Sequence, residues 1–113
     1  MYNDIKLGEK PEIRYYKHNN IDMVCIPYDL FEVSPGIYSW KELNIRYVSL
    51  NYKNIVSTLI DMKYSQADMT AIINNYLLDP ENEENKKDFN EMQEHRKYAK
   101  RMAKDIASAL NLK

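Results

Sequence analysis

Residues 51 to 78 read NYKNIVSTLIDMKYSQADMTAIINNYLL, and the reading of this stretch decides the fold. Tyr52, Ile55, Val56, Leu59 and Ile60 recur at i, i+3, i+4, i+7 and i+8, the spacing of one helical face. After a break at Tyr64 and Ser65, Met69, Ile72, Ile73, Tyr76 and Leu77 do the same. The pattern predicts two short amphipathic helices joined by a tight turn. Neither hides its stripe alone, so each is expected to pack against the other and against a further layer. Ser65, with Asp68 three residues on, offers a side-chain acceptor to the first amides of the second helix.

Moving outward toward the C-terminus, Asp79-Pro80 predicts a restart, with Asp79 as N-cap and Pro80 as the first residue of a third helix reaching Leu110. Its first half carries Glu81, Glu83, Glu84, Asp88, Glu91 and Glu94. Its second half carries Arg96, Lys97, Lys100, Arg101 and Lys104. That polarity complements the helix dipole and is read as a stabilising device. The apolar seam is Phe89, Met92, Arg96, Ala99, Ala103, Ile106 and Leu110, a 3-4 spacing thinned by two alanines and an arginine. A helix of about thirty residues is about 45 Å long, against about 30 Å for the width of a small domain. It must therefore overhang, bend or pack against another chain. Phe89, Met92, Ile106 and Leu110 are accordingly the candidate protein interface, with intramolecular core as the alternative.

Toward the N-terminus the period changes. Residues 1 to 11 carry few apolar side chains and are expected to form a flexible arm or an edge segment. Residues 12 to 17 are β-branched and aromatic enough for a strand, His18-Asn19-Asn20 for a turn, and residues 21 to 26 for a second strand buried on both faces. Pro27 is expected to end that strand or mark an edge. Ser34-Pro35-Gly36 predicts a hairpin between residues 30–33 and 37–40. Residues 41 to 50 alternate at Leu43, Ile45 and Tyr47 as a strand would. Ser39 with Glu42 also matches a helical capping box, and the β-branched and aromatic content decides for strand. The expected fold is a single α+β domain over residues 1–113. A small antiparallel sheet (12–50) packs on a helix hairpin (51–79), followed by a long C-terminal helix (80–113).

Composition narrows function mainly by exclusion. With 113 residues, 44% apolar and 29% charged, the chain suits one globular domain. A net charge of −1 provides no global field for nucleic acid, membrane or acidic substrate. The uncharged run between Asp68 and Asp79 is too short to span a bilayer. Asp4, Lys6, Glu9 and Lys10 interrupt any signal-peptide core, so cytoplasmic synthesis is expected. Cys25 is the single cysteine, and its apolar run IDMVCIP predicts a buried, inert thiol. Ten tyrosines and twelve asparagines are consistent with a sticky contact surface or with AT-rich coding.

Chemistry finds little footing. His18 and His95 lack partners at metal-ligand spacing and are expected on the surface; no metal or cofactor is expected. Two glycines, Gly8 and Gly36, cannot write a phosphate-cradling loop or a nucleophile elbow. Glu83 and Glu84 are adjacent and face different directions on a helix. No enzyme activity is expected. The segment from Tyr52 to Leu78 also has the outline of a helix-turn-helix, with Gln66, Thr70, Asn74 and Asn75 placed to read bases. Between Lys63 and Lys86, however, there is no lysine or arginine. Phosphate neutralisation supplies most non-specific affinity, so this remains the alternative reading, a cytoplasmic regulator or adaptor.

Within residues 52–104, YKNIVSTLIDMKYS, AIINNYLLDPE and EMQEHRKYAKRMAK together resemble small proteins encoded among the structural genes of tailed phages and prophages of gut bacteria. The resemblance implies a virion component or assembly factor that docks on other chains, on itself or on other virion proteins. It transfers no catalytic or binding residues. The expected function is thus a non-enzymatic structural or assembly protein, a homo-oligomer or a partner of other virion proteins.

Overall fold

The computed structural model describes residues 5–112. Four strands form one antiparallel sheet: β1 (Lys6–Gly8), β2 (Arg14–His18), β3 (Ile21–Ser34) and β4 (Ile37–Arg46), in the order β1-β4-β3-β2. A 3-10 turn (Tyr47–Ser49) leads to three helices, α1 (Tyr52–Asp61), α2 (Gln66–Leu78) and α3 (Glu83–Ala109). The α+β class, with an N-terminal antiparallel sheet and a long last helix, is that expected from sequence.

Local turn chemistry sets the sheet. Asn19 and Asn20 have φ of 50° and 64°, the left-handed pair that a two-residue hairpin requires, and they register Tyr16 opposite Met23. Pro35 and Gly36 close the second hairpin, with Gly36 at φ 80°, the position of a type II turn that favours glycine. Between these turns the chain departs from the expected punctuation. The strands foreseen at 21–26 and 30–33 are one 14-residue strand, and Pro27 lies inside it. The last β2 partner of β3 is Arg14, opposite Cys25, so beyond Cys25 that side of β3 has no strand partner among the described residues and a proline is tolerated there. The pairing with β4 shifts register after Tyr28, where Asp29 takes a left-handed φ of 56°, a bulge that bends the strand.

The N-terminal segment realises its edge alternative: Lys6–Gly8 pairs with Tyr38–Trp40 of β4, and residues 1–4 lie outside the described residues. Residues 41–46 continue β4, as the strand reading expected, while 47–49 turn away. The competing capping box at Ser39 is not used; the Glu42 carboxylate instead accepts a hydrogen bond from Trp40 Nε1 at 3.2 Å.

The core joins Val24, Ile26 and Tyr28 of β3 and Leu43 and Ile45 of β4 to Ile55 and Leu59 of α1 and to Ala99, Met102, Ala103 and Ile106 of α3. Small residues at 99 and 103, both fully buried, let α3 approach these layers closely. Within the expected architecture one relation differs. α1 and α2 hardly touch; each lies on α3, and α1 and α3 together cover the sheet. α3 therefore uses its length inside the molecule. Its 27 residues span about 40 Å within a longest dimension of 46 Å, meeting α2, then α1, then β3.

The caps explain where the helices begin and end. Asn51 accepts from the Asn54 amide at 2.9 Å to start α1. The capping box of Ser65 and Asp68 is complete at α2. The N-cap of α3 is Asn82, which accepts from the Asn85 amide at 3.0 Å, and Asp79 is instead the C-cap of α2. The Asn85 side-chain amide donates to the carbonyl oxygens of Asn75 and Asp79. It thereby satisfies the end of α2 from the first turn of α3. At the other end, Asn111 at φ 56°, with Leu112 N–H donating to Ala107 O and Asn111 N–H to Ser108 O, forms a Schellman stop.

Candidate docking surface

α2 has apolar residues on two adjacent rows. Ile72 and Tyr76 form one, and Tyr76 stacks on Phe89 of α3 with ring centroids 4.3 Å apart. Met69, Ile73 and Leu77 form the other at i, i+4 and i+8. No residue of α2 is buried, and Leu77 and Leu78 are 70% and 85% exposed. An apolar helix with a single supporting neighbour leaves its second row only part-covered; Met69 and Ile73 are partly buried.

That row borders a cleft of about 500 Å³ between α1 and α2. Ile60 of α1 faces Met69 and Ile73 of α2 across it, and Arg96 of α3 lies at its base, with Ser57, Asp61 and Gln66 also lining it. Arg96 is partly buried and, among the described residues, makes neither an ion pair nor a hydrogen bond. The seam that carries it explains its position. Met92 and Ala99 on either side are fully buried, so Arg96 occupies the turn of α3 where its two covering helices diverge.

A second apolar surface lies at the far end of the sheet. Phe31 pairs with Ser39, and Ser39 with Leu7, which places Phe31 and Leu7 on the helix-bearing face. They are 66% and 68% exposed, beyond the reach of α1 and α3. Ile5, Val33 and Ile37 are exposed nearby in sequence.

One cluster of ionisable side chains holds the sheet to α3. The Tyr98 hydroxyl donates to Asp29 Oδ2 at 2.8 Å, and Lys41 Nζ donates to the Tyr98 oxygen at 3.1 Å and lies 3.6 Å from Asp29. Burial, and then the Asp29 carboxylate accepting its proton, push the Tyr98 phenol well above its ordinary range. Burial likewise pushes Tyr28 up to about 12. Cys25 is buried on the opposite sheet face from Val24 and Ile26, and desolvation raises its thiol pKa. A raised pKa keeps it a thiol, not a nucleophilic thiolate. Among the described residues no three histidine, cysteine or carboxylate side chains gather in a metal-binding group, and no helix is long and apolar enough to cross a membrane.

The four interface candidates fall mainly within the chain. Met92 and Ile106 are buried, Phe89 is partly buried against Tyr76, and Leu110 lines a groove with Ile13, Tyr28 and Met102. Their stripe is where α3 meets its own neighbours. His18 is exposed as expected, but His95 is not a solvated residue. It is partly buried, its Nε2–H donating to Leu59 O at 3.1 Å, and its ring lies against Tyr98. Desolvation lowers its pKa, partly opposed by that hydrogen bond. Met69, Ile73, Leu77 and Arg96 were picked out by spacing as packing positions, not as an open surface. Their signal was present in the two apolar rows of α2 and the lone cation in the α3 seam.

Comparison with protein-family models, with curated proteins and with solved structures finds no match to this chain.

Proposed function

We propose that this chain is a non-enzymatic structural or assembly module that works by docking on other protein chains. The observation that carries the reading is the apolar row of α2, part-buried at Met69 and Ile73 and exposed at Leu77, beside an open cleft, in a chain whose Asp29–Lys41–Tyr98 cluster is already engaged in its own packing. Contiguous exposed apolar surface marks an interaction site. Catalysis would need titratable groups converging on a pocket; of the perturbed ones here, Tyr28, Tyr98, His95 and Cys25 instead sit under or beside the core, and Tyr38 is raised by Glu32, its cross-strand partner. The likeness of residues 52–104 to small phage structural-cluster proteins supplies a setting: synthesis in a host cytoplasm and use as a virion component or in virion assembly. The regulator reading draws less support, since the α1–α2 unit is split by a cleft and α2 carries no lysine or arginine.

Photo-cross-linking tests the reading. Benzoylphenylalanine at position 77, in cells that naturally make the chain, should give discrete higher-mass adducts. The same group at position 100, on the exposed polar side of α3, should give none. Identical adducts from both positions, or none from either, would contradict docking through this surface.

A further inference from the structure

We infer that the cleft between α1 and α2 is a seat for one amphipathic helix of a different protein, which brings a carboxylate to Arg96. The inference rests on the docking reading above and names the partner's chemistry.

The walls define the shape of the occupant. Ile60 forms one apolar wall and Met69 and Ile73 the other, with Leu77 continuing the row of α2 beyond the cleft. A helix laid in a groove with two apolar walls meets them with apolar anchors at i, i+4 and i+7 of its own. α1 and α2 both rest on α3 without packing together, so a helix between them would complete a four-helix cluster over the same base.

The charges define its sign. Arg96 is partly buried and without a partner among the described residues, and a helix closing over it would strip away more of its water. Desolvating a cation without a counter-charge is costly, whereas a bidentate carboxylate compensates it. Asp61 also lines the cleft, but it is exposed and makes no ion pair with Arg96. Docking therefore selects an acid facing Arg96.

The same charge argues against a second copy of this chain. Two such clefts facing one another about a two-fold axis would share residues pairwise and bring both Arg96 guanidiniums into one closing groove, a like-charge juxtaposition that disfavours pairing. A nucleic-acid strand fits less well, because its phosphates would meet apolar walls and a single cation.

The test uses the full chain and a fluorescein-labelled amphipathic peptide of about four helical turns, with leucine at i, i+4, i+7 and i+11 and glutamate flanking the second leucine. A second peptide carries lysine in place of the glutamate. Saturable binding of the glutamate peptide, weakened roughly tenfold by Arg96→Gln and by Ile73→Asp but not by Phe31→Asp, supports the inference. A reversal of preference in Arg96→Glu, which then takes the lysine peptide, supports it independently of whether Ile73→Asp folds fully. Equal affinity for both peptides, indifference to Arg96, or no binding would overturn the cleft assignment. Binding lost only in Phe31→Asp would overturn it too while leaving docking itself intact, with the sheet end as its place.

Discussion

At the scale of single residues, His95 couples the helices to pH. Its Nε2–H donates to Leu59 O; burial lowers its pKa below 6.5, and Lys63 and Lys41 add to the lowering. The ring also faces Tyr64 and Tyr98. In the unfolded chain His95 takes up its proton near pH 6.5, while in the folded chain it resists until lower pH. The unfolded state therefore binds more protons in that window, and stability falls as pH drops from above 6.5 toward the lowered folded pKa. Urea unfolding at stepped pH should show this decline. His95→Gln, which keeps an amide donor for Leu59, should flatten the slope between pH 7 and 5.5. An unchanged slope would mean that other groups carry it. This coupling was not legible in the sequence, where His95 stands among charged residues; its burial comes from α1, far away in the chain.

At the scale of elements, what was legible is what is decided locally. The Asn19-Asn20 and Pro35-Gly36 turns and the Ser65–Asp68 capping box follow from the φ preferences and short side-chain acceptors of a few adjacent residues. The continuity of β3 through Pro27 was not legible, since it depends on pairing with β4 as far as Met23 opposite Arg46. The start of α3 at Asn82 was missed for a related reason. Asp79-Pro80 satisfies the start rule locally, but Asp79 is already committed to ending α2. α2 combines a well-formed cap with weak tertiary support, because none of its residues is buried. Helices docked on one neighbour open at low free energy. Amide exchange should therefore be faster in α2 than in the middle of α3, and Ser65→Ala should cost about 1 kcal/mol while raising exchange selectively in α2. Equal protection of the two helices would contradict this ranking.

At the scale of the whole molecule, the apolar seam of α3 was readable, but spacing alone does not say whose surface it covers. Met92 and Ile106 cover the chain's own core, and the surface left over belongs to α2 and the far end of the sheet. The net charge of −1 brings no long-range attraction, so the proposed docking would rest on local shape and on Arg96. The most direct measurement is a heteronuclear NMR titration of the isotope-labelled chain with the glutamate-bearing amphipathic peptide. The account predicts saturable shifts concentrated at Ser57, Ile60, Met69, Ile73 and Arg96, with the Lys6–Gly8 strand and the Pro35-Gly36 turn unmoved. Shifts centred on that strand and turn, or none up to millimolar peptide, would contradict it.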